Sequence, residues 1–196
     1  SDIVSVFAGQ RPLAAPKKEG KSSKEVSRSH KIITSDNNLI TITGGKWTSY
    51  RKMAEDTVDK AISLCGLEKR KCVTRKFKIH GWKPQPDLTD HMYVYGSDIE
   101  NVLALIRQNP ALGEKISPKF DYTMAEVVWA VREEMALTVD DVLARRVRLL
   151  FVDAREAMKS ARRVAEVMAA ELGRDQEWIE AQVKDFTAIA SNYFLS

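Results

Sequence analysis

The sequence predicts an α+β fold, in which a few strands and a hairpin precede a predominantly α-helical C-terminal region. Two observations predict this order: short β-branched runs lie in the first half of the chain, and helix-capping patterns recur after Pro86. The chain has 196 residues, of which 44% are hydrophobic. That is enough apolar material for a buried core, so an intrinsically disordered chain is excluded.

Three regions in the first half are typical of β structure. Residues 2–8 (DIVSVFA) are β-branched and aromatic, which predicts a buried strand. Residues 31–34 and 39–43 flank a Ser-Asp-Asn-Asn turn, which predicts a hairpin. Residues 75–79 alternate apolar and basic side chains and predict a further short strand.

The period of the apolar residues changes from Tyr50 onward and becomes helical until Gly66, a typical C-terminal stop. The stiff sequence GWKPQP at 81–86 cannot continue a regular element and predicts a domain boundary. This boundary separates a first region, 1–80, from a second region, 87–196.

Helix starts in the second region are indicated by capping boxes, in which a Ser, Thr or Asp caps the first amides and an acid three residues later reaches back. A last helix is predicted from Asp175. Amphipathic helices joined by short connections should pack as a bundle. The three boxes are Thr123 with Glu126, Thr138 with Asp141, and Asp153 with Glu156.

The composition bounds the partners of the chain. The 31 Lys and Arg exceed the 27 Asp and Glu by only four charges, which is weak support for a nucleic-acid partner, and none is expected. No stretch approaches the roughly 20 apolar residues of a membrane span, so we expect a soluble chain without an export signal. Cys65 and Cys72 fit neither a C-x-x-C nor a zinc spacing, which predicts a reducing compartment and no metal site.

The first candidate binding site is the sequence Gly44-Gly45-Lys46-Trp47-Thr48. A glycine pair between a strand and a helix lets the backbone approach a ligand, and the helix start presents unpaired N–H groups to an anion. Lys46 adds a positive charge. The glycine spacing of a P-loop is absent, so a plain strand-to-helix turn is the alternative.

Arg11 and Arg28 are the other candidates, because they flank the predicted strand and the predicted hairpin. A guanidinium binds a phosphate or carboxylate through two parallel hydrogen bonds. Each position is equally compatible with a solvated surface arginine. His30 is interpreted as a surface or packing histidine rather than as a base.

Taken in order, these segments resemble a known family. Residues 8–13 (AGQRPL), 27–32 (SRSHKI) and 44–56 (GGKWTSYRKMAED) are similar to the C-terminal third of the FAD-dependent glycerol-3-phosphate dehydrogenases. Residues 131–153 resemble the helical C-terminal domain of that family, and 95–97 (YGS) match its opening. The resemblance spans essentially the whole chain.

The resemblance implies a flavoprotein oxidoreductase of glycerol metabolism that oxidises sn-glycerol 3-phosphate to dihydroxyacetone phosphate and passes electrons through FAD to a membrane quinone. It assigns 1–80 to the end of the FAD and substrate-binding domain and 87–196 to the helical domain. It implies a cytoplasmic enzyme, peripheral at the inner face of the membrane, and is compatible with a homodimer. An oxygen-using oxidase remains an alternative to a quinone-linked dehydrogenase.

The resemblance also assigns site residues. It places Arg11, Arg28 and Lys46 around the substrate, where two guanidiniums and an ammonium would neutralise a phosphate monoester and orient its carbinol carbon. Amides at the start of a helix would stabilise negative charge on the reduced flavin. Family members often have Leu and Thr where this chain has Trp47 and Ser49. The implied cofactor-binding residues are Gly45, Lys46, Trp47 and Thr48.

One family motif is missing. The dinucleotide-binding G-x-G-x-x-G does not occur in these 196 residues. The diphosphate site and the catalytic base are therefore expected upstream, and no catalytic residue is assigned in this chain. Alone, the chain is expected to be inactive and not to retain FAD.

A different class of function is indicated by seven basic residues against three acidic ones between 141 and 163. Such a helical surface would make the second region a docking module for an anionic membrane or a partner subunit. The alternative is that its arginines are neutralised by nearby acids. That pairing would join Arg145, Arg146 and Arg148 to Glu133, Glu134 and the capping acids.

Overall fold

A computed structural model describes residues 2–10 and 29–194. Residues 2–8 and 79–194 form one compact unit, here called the helical unit. Residues 9–10 and 29–78 form the other, here called the hairpin unit. One two-stranded hairpin and a series of helices confirm the α+β class.

The predicted hairpin is confirmed. Strand β1 (His30–Thr34) pairs antiparallel with strand β2 (Ile40–Gly44), and Ile32 lies opposite Ile42. Polar side chains close the turn: the Ser35 hydroxyl donates to Asn37 Oδ1 at 2.6 Å, and the Ser35 amide donates to the Leu39 carbonyl at 3.0 Å.

Helix α1 (Tyr50–Leu64) follows the hairpin, as the apolar period predicted. Its surface carries two i,i+4 ion pairs, Arg51 with Glu55 at 2.8 Å and Lys52 with Asp56 at 2.7 Å. Gly66, at φ 64°, follows the end of the helix, as expected for a left-handed stop.

The predicted strand at 75–79 is wrong. These residues form a turn and irregular chain, and the Phe77 side chain is 68% exposed. Among the residues that the structure describes, no strand lies beside this segment. An alternating pattern without a hydrogen-bonding neighbour does not make a strand.

The helical unit contains five α-helices within its described residues, with short 3₁₀ and π turns between them. The 3₁₀ turns are His91–Asp98, Pro110–Gly113 and Ser191–Tyr193, and the π-helix is Asp141–Arg146. The α-helices are α2 (Ile99–Gln108), α3 (Met124–Glu133), α4 (Leu149–Val152), α5 (Ala154–Leu172) and α6 (Gln176–Ala190).

Helix α5 is the centre of the core, because α3, α4 and α6 all pack against it. Small residues such as Ala157 and Ala161 are fully buried at these contacts and let the helices approach closely. Phe186 of α6 is among the largest buried side chains, at 1% exposure. The predicted bundle is therefore present.

The capping boxes behave largely as predicted. Both bonds form between Thr123 and Glu126. Asp153 accepts a bond from the Glu156 amide at 3.0 Å and so caps α5. The Thr138 amide donates to Asp141 at 3.0 Å, but the box opens a π-helix rather than an α-helix.

The predicted strand at 2–8 is also wrong. The segment is extended but has no sheet partner among the described residues, and Phe7 is 70% exposed. Instead it lies on the helical unit: the Val6 amide donates to the Tyr193 carbonyl at 2.9 Å, and the Ser5 hydroxyl donates to the Leu150 carbonyl at 2.8 Å. The sequence analysis predicts that 2–8 belongs to the first region, 1–80, together with the hairpin.

Met124, Val127, Val128, Val131 and Met135 lie at helical spacing (i, i+3, i+4, i+7 and i+11), and the first three are buried on one face of α3. Helix α3 ends at Glu133, and Met135 adopts φ 58° with 82% of its surface exposed. A left-handed residue turns the chain away from the helix axis, so the i+11 position no longer faces the core.

Candidate functional site

The turn between β2 and α1 depends on two glycines with left-handed backbones. Gly44 has φ 73° and Gly45 has φ 83°, a region that L side chains rarely adopt. A Cβ on Gly45 would lie 2.6 Å from Met53 Sδ and 3.2 Å from His30 Cβ. Gly45 therefore allows α1 to pack closely against the hairpin.

A single 3₁₀ turn, Trp47–Ser49, follows and leads into α1. The Ser49 hydroxyl donates to the Lys46 carbonyl at 2.9 Å and accepts from the Lys46 amide at 3.3 Å, which fixes the start of the turn. Within the described part of the chain, the Trp47 and Thr48 amides make no hydrogen bond. They are two of the unpaired donors that a helix start presents.

The side chains of this turn are exposed. Lys46 makes no ion pair with residues 2–10 or 29–194, and Trp47 is 87% exposed while its ring stacks on Tyr50 at 5.6 Å. A concavity of about 640 Å³ borders the turn. Its lining residues are Gly44, Gly45, Lys46, Trp47, Thr48, Tyr50 and Met53.

The donors at this turn fit the electron-rich edge of a flavin. Two amides that have no partner among the described residues and one ammonium group border an open concavity, where they supply hydrogen-bond donors and positive charge. A group that gains negative charge on reduction is stabilised by such an arrangement. The turn brings together all four residues assigned to the cofactor, Gly45 to Thr48, but it does not test their role.

His30 anchors the hairpin to α1 at this place. Its Nε2 lies 2.9 Å from Asp56 Oδ2, and Lys52 binds the other carboxylate oxygen at 2.7 Å. The hydrogen bonds from Lys52 and His30 lower the pKa of Asp56 below its usual value. This packing role agrees with the interpretation of His30 as a structural histidine.

The two predicted arginines of the substrate site, Arg11 and Arg28, lie outside the described residues. Their proximity to Lys46 therefore stays a prediction. Of the three residues assigned to the phosphate, only Lys46 is placed by the structure.

The sequence analysis missed a buried polar cluster in the helical unit. Glu126 is 1% exposed, and its carboxylate accepts bonds from the Tyr95 hydroxyl at 3.1 Å and the Thr123 amide at 2.6 Å. His91 Nε2 lies 3.2 Å from the same carboxylate, which raises the pKa of His91 above its usual value. Only the Thr123 capping signal was legible in the sequence.

The basic stretch at 141–163 is largely neutralised by acids, as the alternative interpretation held. Arg145 pairs with Asp140, and Arg146 binds the Glu134 carbonyl and lies 3.4 Å from its carboxylate. Arg148 is different, because the structure gives it no acidic partner within the described ranges and places it 5.8 Å from the Phe151 ring. The predicted partner Glu133 does not take part in the recorded ion pairs of this stretch.

Comparison with known proteins decides the family. Residues 38–179 match the model of the C-terminal domain of alpha-glycerophosphate oxidase, which is more than half of the chain. The chain belongs to this family. The match includes the Gly44–Thr48 turn and most of the helical unit.

Curated relatives of this alpha-glycerophosphate oxidase domain are glycerol-3-phosphate dehydrogenases. The chain is 34% identical to the mitochondrial enzyme SDP6 of Arabidopsis thaliana, over 87% of this chain and 32% of the relative. It is 35% identical to a probable mitochondrial enzyme of Caenorhabditis elegans, over 93% of this chain and 28% of the relative. The rat mitochondrial enzyme is 30% identical over 98% of this chain and 28% of its own length.

The chain thus spans about a third of the length of these relatives. All three are named as mitochondrial enzymes, so the expectation of a cytoplasmic enzyme receives no support from them. In the part of the domain that the structure describes, each helix is too short or too polar to cross a bilayer.

The close packing at Gly45 gives a first prediction. Gly45→Ala adds a Cβ in contact with Met53 and strains a φ of 83°, so it should destabilise the hairpin unit by about 1–3 kcal/mol. Amide hydrogen exchange of β2 would measure this local loss. Gly66→Ala is the matched control, because Gly66 has φ 64° but open space around it and should cost about 1 kcal/mol. Equal effects of the two changes would contradict the packing role.

The His91 pair gives a second prediction. Since folding raises the pKa of His91, its stabilisation is complete below about pH 6.5, the unfolded value, and is lost as the pH rises through the folded value. Urea unfolding should therefore show wild type and His91→Gln converging in stability above that range and separating below it.

The control for this measurement is His80→Gln. His80 Nε2 lies 2.7 Å from Asp98, but the imidazole is 87% exposed, so the pair is screened by solvent and its replacement should cost little stability. A stability gap for His91→Gln that grows with rising pH would refute the role of the protonated pair.

Proposed function

We propose that this chain is the C-terminal part of an FAD-dependent glycerol-3-phosphate dehydrogenase, which oxidises sn-glycerol 3-phosphate to dihydroxyacetone phosphate. The observation that carries the proposal is the Gly44–Thr48 turn inside a domain of this family, with an exposed Lys46 and two amides that are unbonded within the described ranges. Bound FAD would supply the hydride acceptor. The names of the relatives support the same reaction.

Each residue of the turn has a distinct task in this proposal. Lys46 binds the substrate phosphate together with Arg11 and Arg28. Three cations neutralise the nearly two negative charges of a phosphate monoester. The Trp47 and Thr48 amides donate to the flavin edge. Gly45 has no side chain, which keeps the concavity open and α1 close to the hairpin.

The electron acceptor in this proposal is a membrane quinone. The dehydrogenase names of the relatives support it over oxygen, although the matched domain model takes its name from an oxidase. The chain alone is proposed to be inactive, since it contains no dinucleotide-binding glycine motif.

The test uses a full-length parent enzyme and anaerobic reduction of its flavin by glycerol 3-phosphate. Lys46→Ala, Arg11→Ala and Arg28→Ala should each weaken apparent substrate affinity or slow reduction by about 10–100-fold with FAD still bound, because each removes a hydrogen-bonded cation.

Lys52→Ala is the matched control. Lys52 is also a lysine near the turn, but it pairs with Asp56 on α1 and should leave reduction unchanged. Unchanged reduction in all three site variants would mean that the resemblance marks the fold and misplaces the substrate site. Turnover of glycerol 3-phosphate by the 196-residue chain would overturn the proposal that the chain is inactive.

A second candidate, contact with an anionic membrane, is favoured by the end of the hairpin unit rather than by the helical surface. Six basic residues and no acidic one lie between 69 and 78, in a segment without regular structure. Val73 and Phe77 are interspersed among them and are 73% and 68% exposed. Cations with exposed apolar side chains are typical of a surface that binds anionic headgroups.

Vesicle cosedimentation tests this contact. Replacing Lys69, Lys71 and Lys76 by Gln should reduce binding to phosphatidylserine vesicles by up to about 100-fold, since each cation near the surface contributes about 1 kcal/mol, and binding should fall with salt. The control replaces Arg145, Lys159 and Arg162 by Gln, an equal loss of charge from residues that are paired with acids. A larger loss of binding in the control variant would mean that the helical unit, and not residues 69–78, contacts the membrane. Equal binding of the wild type to neutral vesicles would refute the contact.

A further inference from the structure

A second cavity lies within the helical unit, and none of its lining residues is among the site residues that the family resemblance assigns. Its volume is about 340 Å³, at the small end of the range for ligand pockets. Four of its eleven lining residues are tyrosine or phenylalanine, and the polar groups converge from three different segments. The polar and aromatic side chains that line it include His91, Tyr95, Tyr122, Glu126, Arg148 and Phe151.

The charged groups of this cavity differ in their partners. Glu126 accepts a bond from Tyr95 and lies 3.2 Å from His91 Nε2, and Arg146 is bound to Glu134. Arg148 remains with a side chain that lines the cavity and, within the described residues, with no acidic partner. A guanidinium without a counterion, beside aromatic walls, is the group that binds a phosphate or carboxylate.

The backbone at Arg148 is unusual for an arginine. It adopts φ 60° and ψ 22°, the left-handed region that favours glycine. It follows directly on the π-helix and Val147, and π-helical turns are frequent at functional sites. Two irregular backbone features thus place the Arg148 cation at the edge of the cavity. Residues held in such conformations cluster at ligand sites.

The aromatic walls indicate the rest of the ligand. The Arg148 guanidinium lies 5.8 Å from the Phe151 ring, so a ligand anion bound to Arg148 would meet this ring. The Tyr122 ring stands edge-on to His91 at 5.3 Å. Phe151 also meets Phe7 and Tyr193 edge-on, at 5.0 Å and 5.6 Å. Aromatic side chains favour contact with a flat apolar group over a sugar or a flexible chain.

We propose that this cavity binds a small organic anion, a phosphate or carboxylate carried on a flat, ring-sized apolar group. Arg148 binds the anionic group, Phe151 and Tyr122 contact the ring, and the Glu126 cluster holds the wall rigid. The site does not depend on the proposed dehydrogenase activity, so it can be tested in the 196-residue chain itself.

The experiment titrates the chain with phenyl phosphate, benzoate, inorganic phosphate and phenol, and follows amide and arginine Nε–H shifts by NMR. Phenyl phosphate or benzoate should bind saturably, with shifts confined to the cavity, and at least about tenfold more tightly than phosphate or phenol alone. The tighter of the two ring-bearing anions identifies the anionic group.

The decisive variant is Arg148→Gly. Glycine accepts φ 60° without strain, so the melting temperature should stay constant or rise, while affinity for the ring-bearing anion should fall at least about tenfold. Arg145→Gln is the matched control, since Arg145 lies three positions away and pairs with Asp140; its binding should stay within about twofold of wild type.

Four results would overturn the proposal. Undiminished binding by Arg148→Gly would remove Arg148 from the site. If inorganic phosphate bound as tightly as the ring-bearing anions, the aromatic residues would not contribute to binding. If phenol bound as tightly as they do, the negative charge would not contribute. Shifts spread over the surface in place of the cavity would mean nonspecific anion binding.

Discussion

The helical unit depends on one buried carboxylate. Glu126 is 1% exposed, and an ionised group at that depth is costly unless hydrogen bonds replace its water. The replacement comes from residues far apart in sequence: Thr123 one turn earlier, and His91 and Tyr95 about thirty positions upstream. The cluster therefore joins the segment before α2 to the start of α3. His91, Tyr95 and Glu126 also line the cavity. The hydrogen bonds that stabilise the unit therefore also shape one wall of its pocket.

Local signals in the sequence were enough for most of the fold. The hairpin follows from β-branched runs around an Asx turn, and the starts of α3 and α5 follow from side chains that reach amides two or three residues away. The strands predicted at 2–8 and 75–79 failed because a strand exists only beside another strand. Residues 2–8 instead bond to α4 and to the chain end near Tyr193, contacts that no local pattern encodes.

The same contrast holds for the sites. The Gly44–Thr48 turn could be found because glycine pairs are legible in a sequence and because its five residues are contiguous. The Glu126 cavity could not, since its polar groups converge from positions 91 to 148. In the sequence, Arg148 is indistinguishable from Arg145 and Arg146 and belongs with them to one predicted basic face. A left-handed backbone at Arg148 separates it from them, and backbone conformation at a non-glycine residue leaves no signal in the chain.

The two units differ in how they bury apolar surface, and this difference explains where each function lies. The helical unit has its own core, with Leu143, Leu150 and Val164 fully buried, and can hold a rigid pocket by itself. In the described residues of the hairpin unit, no side chain is buried, although Ile33 and Val58 are exposed on regular elements. Such a unit gains stability only when another surface covers it. The proposed ligand site at Gly44–Thr48 lies in this unit, whereas the proposed cavity lies in the unit that has its own core.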